Sequence, residues 1–215
     1  MGTGHPVSKG SLSRMTWGST RGMILGCAVS RIHERPLQRS HQNTMKSHPA
    51  LPYYMVHQTE LGTSLLVVEN SALIAHYLGE NETSLLGSLN SCLHLLNALP
   101  LPNGSHSKYS KWLDCVVSNS PSDVAVPLTI RGTVFQQRVW RYLITIPRGA
   151  MRSYSEVAQA IGYPSAVRAV ASACAQNQIA LAIPCHRVIR ADGSFGGYRW
   201  GIERKRLILE RETSA

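Results

Sequence analysis

From Leu51 onward the apolar and polar positions fall into short segments whose spacing predicts elements. Residues 51–56, 64–69 and 72–78 are rich in Val, Leu, Ile and Tyr and are punctuated by Gly62 and by Asn70-Ser71. That pattern predicts antiparallel strands of a small sheet. Residues 82–99 place Leu85, Leu86, Leu89, Leu93, Leu96 and Leu99 at a helical period that Pro100 and Pro102 end. Residues 109–117 read as a second helix and 126–130 as a further strand. Thr133 is positioned to cap a helix over 135–144, stopped by Pro147 and Gly149. Ser153 caps a short helix over 156–161, with Glu156 where a capping box needs it. After Gly162-Tyr163-Pro164, Ser165 is the expected cap of a helix from Ala166 to about Gln176. A turn at Ala191-Asp192-Gly193-Ser194 and a Gly196-Gly197-Tyr198 loop lead to a basic terminal helix over 201–211. Its apolar positions are Ile202, Leu207 and Leu209, and its expected end is Glu212. Residues 1–50 show no sustained period and are rich in Gly, Ser, Arg, His and Gln, which predicts a flexible basic tail.

Charge divides the chain along the same lines. The formal net charge is +10, made of +6 in residues 1–50, −4 in 51–130 and +8 in 131–215. Twelve of the thirteen basic residues in the last segment are arginine, a composition that suits phosphate contacts and points to a polyanionic partner. A merely soluble basic face would carry the same charge, so charge alone does not decide. The five cysteines form no CxxC pair and no Cys/His ladder. Neither a metal site nor a disulfide framework is therefore expected, which fits a reducing cytoplasm. No apolar run is long enough to span a membrane.

Candidate chemistry concentrates in Ile183-Pro184-Cys185-His186-Arg187-Val188-Ile189. Cysteine is a strong nucleophile only as thiolate. Pro184 fixes the backbone before it, His186 offers a base that titrates near neutrality, and Arg187 adds positive potential favouring the thiolate. A packing cysteine is the bland alternative. Adjacent side chains diverge, so contact between Cys185 and His186 is expected through a water. A carboxylate should orient the imidazole, and spacing leaves Glu212, Glu210, Glu203 and Asp192 open. Helix, Gly-containing turn, helix over 153–176 has the spacing of a helix-turn-helix. The second helix carries small residues at Ala166, Ala169, Ala171, Ser172 and Ala175, with Arg168 as its only charge. Such a helix can approach a groove closely, or pack its alanines against a neighbour.

Residues from about 132 to 212 resemble the alkyltransferase domain of the O6-alkylguanine-DNA alkyltransferases. The matching pieces are Phe135-Gln136-Gln137-Arg138-Val139-Trp140, Ser153-Tyr154, Ala166-Val167-Arg168-Ala169-Val170, Asn177, the Pro184-Cys185-His186-Arg187 segment and Gly197-Tyr198-Arg199-Trp200-Gly201. The resemblance implies an α+β fold. A small ribonuclease-H-like antiparallel sheet subdomain (51–130) would precede a mainly helical DNA-binding alkyltransferase subdomain with a helix-turn-helix (131–215). It implies stoichiometric transfer of the alkyl group from O6-alkylguanine, and from O4-alkylthymine, to Cys185. His186 would act as base through a water, Glu212 would orient it, and Tyr154 would protonate the leaving base. Arg168 would fill the gap left by a flipped nucleotide in the minor groove, with Ser153, Ala166 and Ala169 beside the DNA. Tyr198, Asn177 and Pro184 would shape the base pocket. The implied partner is double-stranded DNA containing alkylated bases. No cofactor, no metal and no membrane are implied, and a cytoplasmic monomer is expected. Two departures stand out: Ala180 replaces a proline found in some members, and Cys174-Ala175 ends the second helix, where altered DNA contacts are expected. The family's bifunctional members add a zinc-cysteine module and a transcription-activating module. Residues 1–50 lack the cysteine cluster and are too short for both, so a repair-only protein or a truncated relative is expected. A non-catalytic lesion binder and a Cys-His hydrolase are the competing readings. Cys185 itself speaks against the first, and the missing acyl-binding motif against the second.

Overall fold

A computed structural model of the chain describes residues 51–93, 98–121 and 123–214, apart from the side chains of 88–93. The predicted tail over 1–50 lies outside these residues, as does Leu96 of the predicted leucine helix. The three expected strands are present as β1 (Tyr53–Thr59), β2 (Gly62–Glu69) and β3 (Ala72–Gly79), paired antiparallel. The sheet is mixed rather than purely antiparallel. A two-residue strand, β4 (Leu99–Pro100), lies parallel to β1, giving the order β3-β2-β1-β4. The helical period after β3 forms α1 (Glu82–Leu93), and Leu99 belongs to β4 instead of to that helix.

β2 reads as an unbroken apolar run because both of its faces are covered. Leu66 and Val68 enter the main core, whereas Leu65 and Val67 pack with Ile74, Ala75 and Leu85 of α1 on the other side. Burial of both faces erases the alternation of a half-exposed strand. The main core continues through α2 (His106–Val117), with Trp112 and Leu113 fully buried, into α3 (Val134–Ile144), with Val139, Trp140 and Leu143. One apolar cluster therefore joins the sheet to the helices that follow it.

Residues 126–130 do not form the predicted strand. They contribute a single bridge, Leu73 to Leu128, held by Leu73 N–H on Pro127 O at 2.8 Å and Thr129 N–H on Leu73 O at 2.9 Å. Further along, the same edge of β3 receives a second segment. His76 N–H donates to Gln178 O at 2.8 Å, and Ala180 N–H donates to His76 O at 2.9 Å. Covered in this way, the edge offers few free backbone groups to another strand.

The predicted capping residues act as expected in two of three places. Thr133 and Gln136 form a reciprocal capping box on α3, and Ser153 and Glu156 form one on α4 (Tyr154–Ala160). Each cap is worth about 1 kcal/mol. Ser165 does not cap α5 (Val167–Ala175). Its N-cap is Ala166, without a side-chain hydrogen bond. Two pairs of residues, β5 (Arg152–Ser153) and β6 (Val188–Ile189), align in parallel and bind the start of α4 to the segment after Cys185. The terminal helix α6 (Ile202–Thr213) buries Lys205, Ile208 and Leu209. The predicted apolar face was in part wrong, since Ile202 and Leu207 are 38% and 36% exposed. The face turned inward is 205, 208, 209 and 212, the i, i+3, i+4, i+7 stripe of a helix.

His76 gives the fold a pH dependence. It is fully buried, and its Nδ1–H donates to Ala180 O at 2.9 Å while Nε2 lies 3.3 Å from the Ser64 hydroxyl. Burial lowers its pKa to about 4, against a smaller opposing effect of the Ala180 carbonyl. The unfolded chain therefore binds the proton more readily. This contribution to stability is complete above the ordinary value of 6.5 and is lost as pH falls towards 4. The loss should approach about 3 kcal/mol. Chemical denaturation at pH 7 and pH 5 measures it. His186, also lowered by burial, adds to the same slope, so a His76→Asn variant, in which the slope should shrink, isolates this part.

Candidate active site

Cys185 begins a 3₁₀ turn, Cys185–Arg187, entered from Pro184 and left through β6. The preceding loop is shaped by Asn177, which is fully buried. Its Nδ2 donates to Ile183 O at 2.9 Å, to Ile179 O at 3.3 Å and to Cys185 Sγ at 3.2 Å, and its Oδ1 accepts from Ile179 N–H at 2.9 Å. Asn177 N–H bonds back to Cys174 O in the last turn of α5. A single residue thus ties α5, the loop and the sulfur together. Within that loop Leu181 has φ +61°, a left-handed conformation costly for a branched side chain. The surrounding hydrogen bonds hold it there.

Ala180 is tied to His76 through both of its backbone groups. Its N–H donates to His76 O, and its carbonyl accepts from the His76 ring. A proline would remove the first of these bonds. His76 belongs to the half of the sequence that held no visible chemistry, yet it anchors the loop leading to Cys185.

Behind the cysteine lies a buried charge network. His186 Nε2 is 3.1 Å from Glu212 Oε1, and Glu212 takes a fork from Arg187, with Nε to Oε2 at 2.9 Å and Nη2 to Oε1 at 2.6 Å. Arg187 Nη1 donates to Ile146 O at 2.6 Å. Of the four acids that spacing left open, Glu212 is the one bonded to the imidazole. Burial pushes the Glu212 carboxyl up, but the hydrogen bonds and charges of His186 and Arg187 outweigh it and leave a pKa of about 2. Burial lowers His186, only partly opposed by Glu212, so the ring is neutral at pH 7. With the Nε2 proton directed at Glu212, the Nδ1 lone pair is free. Nδ1 is buried and has no hydrogen-bond partner among the described residues.

The expectation that Arg187 polarises the thiol needs correction, because Glu212 already neutralises that guanidinium. Burial pushes the Cys185 thiol up to about 11, opposed first by the Asn177 hydrogen bond and then by Lys205. The resting sulfur is a protonated thiol. Lys205, absent from the sequence-based site, is fully buried, with its Nζ on the carbonyl of Val188, three residues after Cys185. The inward i, i+3, i+4, i+7 stripe ending at Glu212 was the signal that could have found it.

Tyr154 is the first residue of α4 rather than a residue before it. It is half-buried, and its hydroxyl packs on Gly196 so closely that a Cβ there would lie 2.5 Å from the phenol oxygen. Glycine at 196 is what admits the phenol. Burial, then the charges of Cys174 and Cys185, raise its pKa to about 12, so it is a proton donor throughout the neutral range. Tyr198 stands edge-on to His186 at 6.4 Å and to Trp200 at 5.1 Å, with its hydroxyl sequestered and without a hydrogen-bond partner among the described residues.

α5 presents two different faces. Val170, Ala173 and Cys174 are buried, while Arg168, Ala169, Ser172 and Ala175 are exposed and Ala166 is half-buried. Cys174 therefore packs inward and does not meet a partner from solvent, as its position at the helix end had suggested. Ser153 is half-buried, its hydroxyl engaged by Glu156 N–H. Among the described residues no three His, Cys, Asp or Glu side chains group as metal ligands, and no helix is long and apolar enough to cross a membrane.

Comparison with known proteins gives the family. Residues 134–214 match the family model of the 6-O-methylguanine DNA methyltransferase DNA-binding domain. The bifunctional transcriptional activator/DNA repair enzyme Ada of Escherichia coli is 41% identical over 160 residues, which are 74% of this chain and 45% of that protein. The chain thus spans less than half the length of Ada. The methylated-DNA–protein-cysteine methyltransferase of Mycobacterium tuberculosis is 49% identical over 111 residues, 52% of this chain and 67% of that one. The crystal structure of Mycobacterium tuberculosis OGT in complex with DNA superposes with a TM-score of 0.64 at 38% identity, covering 75% of this chain and 93% of that one. With that identity over nearly the whole of a solved relative, and the mixed α+β architecture in common, the chain belongs to the O6-alkylguanine-DNA alkyltransferase, or methylated-DNA–protein-cysteine methyltransferase, family.

Proposed function

We propose that the chain repairs DNA by moving the alkyl group of O6-alkylguanine, and of O4-alkylthymine, onto Cys185 Sγ, once per molecule. The observation that carries this reading is the buried thiol gripped by Asn177, next in sequence to an imidazole whose Nδ1 is freed by Glu212. His186 takes the thiol proton on Nδ1 through a water. A sulfur–carbon bond forms as the carbon–O6 bond breaks, and its electron pair enters the base. Tyr154 gives its hydroxyl proton to ring N3, so guanine departs neutral, and the imidazolium proton later restores the phenol through solvent. Displacement at saturated carbon develops its charge on the leaving base, where the phenol sits, so the residues above suffice for the step.

A base inside the duplex cannot reach a sulfur this deep, so the nucleotide must be extruded. In this reading α4 and α5 act as a helix-turn-helix in the minor groove. The exposed Ala169 allows close approach, Ser153 and Ala166 flank it, and Arg168 enters the stack. Tyr198 and Pro184 wall the pocket. Residues 51–130 form a ribonuclease-H-like scaffold and 131–215 the DNA-binding alkyltransferase unit, acting as a cytoplasmic monomer on double-stranded DNA.

The thioether is stable to water and to thiols, so in this reading the reaction stops after one transfer. With an O6-methylguanine duplex in molar excess, restored guanine should level off at one equivalent per protein. A yield that keeps rising would contradict the proposal.

A further inference from the structure

Lys205 is the single lysine among the thirteen basic residues of 131–215. It is fully buried on the inner face of α6. Its Nζ donates to Val188 O at 2.6 Å and lies 6.0 Å from the centre of the Phe195 ring. Among the described residues it has no carboxylate partner. A buried ammonium held by one carbonyl and a ring is costly unless an anion is at hand. The other buried cation at the site, Arg187, has its anion in Glu212.

Val188, whose carbonyl holds the ammonium, stands three residues after Cys185, and the groups acting on Lys205 that can become anionic are thiols. Burial lowers the Lys205 ammonium, and Cys185 first, then Cys174, raise it again. The interaction is mutual, since Lys205 follows Asn177 among the influences that ease ionisation of Cys185. The remaining groups around the sulfur do not supply a buried positive charge. Tyr154 on α4 and Tyr198 in the glycine loop are held protonated by burial. His186 is neutral against Glu212 on α6. Arg199 is exposed, over the Tyr77 ring at 5.7 Å.

We propose that Lys205 is the counter-cation of the Cys185 thiolate, a positioning residue that holds the sulfur's charge from within α6 without touching the base. This rests on the reading of Cys185 as the alkyl acceptor.

The test uses the full chain with Lys205→Met and Lys205→Arg. Its first readout is the pH profile of Cys185 modification by iodoacetamide, resolved by peptide mass with the partly exposed Cys115 as internal reference. Its second is the rate of methyl transfer from an O6-methylguanine duplex. In Lys205→Met the Cys185 profile should move up by about one pH unit, about ten-fold slower modification at pH 8, with Cys115 unmoved and Lys205→Arg closer to the parent. A Cys185 profile that coincides with the parent's in Lys205→Met overturns the inference. A variant that does not fold is bypassed by following the Lys205 side-chain titration by NMR in the parent and in Cys185→Ala. The ammonium should titrate lower without the sulfur, and an unchanged titration overturns the pairing. A shifted iodoacetamide profile in a protein that takes no methyl from the duplex would defeat the repair reading and leave the Lys205–Cys185 pair standing.

Discussion

Cys185→Ala should transfer no methyl group from an O6-methylguanine duplex while still binding it within about three-fold of the parent, a difference of less than 1 kcal/mol. In the proposed reaction the sulfur is the acceptor atom, so the loss of transfer should be complete rather than graded. The residues proposed to meet DNA lie elsewhere: Arg168 and Ala169 are exposed on α5, a helix whose inward face is Val170, Ala173 and Cys174. Alanine at 185 leaves the Asn177 amide its two carbonyl acceptors, Ile179 O and Ile183 O, so the loop keeps most of its bonds. Gel-shift titration and a transfer assay on the same preparation separate the two properties. Cys174, the buried thiol nearest in kind, makes the control informative. Methyl recovered on Cys174 in the variant would mean that reactivity belongs to the pocket and not to the placement of Cys185.

Glu212→Gln should be the most damaging single change outside the acceptor. Glu212 accepts from both His186 and Arg187 in a place where its side chain is 8% exposed. Losing the carboxylate leaves the Arg187 charge buried without its counter-charge, at a cost of about 3 kcal/mol or more. It also removes the partner that fixes the His186 proton on Nε2, and with it the free Nδ1. Transfer should slow by about 100-fold. The pH dependence follows from the sign of the shift. The folded carboxyl titrates near 2 instead of at its ordinary 4.5, so its contribution is complete above 4.5 and lost as pH falls towards 2. The parent should therefore lose stability across that window, and Glu212→Gln should lack this component. Denaturant midpoints at pH 5 and pH 3 for both proteins check it. Equal slopes in the two would place the stabilising role of this network elsewhere.

The sequence was legible where a local rule acts alone. Thr133 and Ser153 announced their capping boxes because Gln136 and Glu156 stand three residues on. The Pro184-Cys185-His186 turn announced itself by chemistry. What stayed hidden depends on partners far along the chain. β5 and β6 are two residues each, too short to show any period, yet their pairing brings Tyr154 to the cysteine segment. Residues 126–130 have strand composition but meet β3 through one bridge, since β3 gives the rest of that edge to residues 178–180. Lys205 and Arg187 misled in opposite directions. The arginine two residues after the cysteine is neutralised by a carboxylate 25 residues away, and a lysine in an outwardly basic helix turns inward. Charge in a sequence does not reveal which charges are already paired.

The most direct test of the central claim is intact mass followed by peptide mapping, after mixing the protein with an O6-methylguanine duplex in molar excess. The account predicts that every molecule gains the mass of one methyl in place of one hydrogen, that the added mass maps to Cys185, and that no further reaction follows. An unchanged protein mass beside a tightly bound, unrepaired duplex would contradict it and would make the chain a lesion binder.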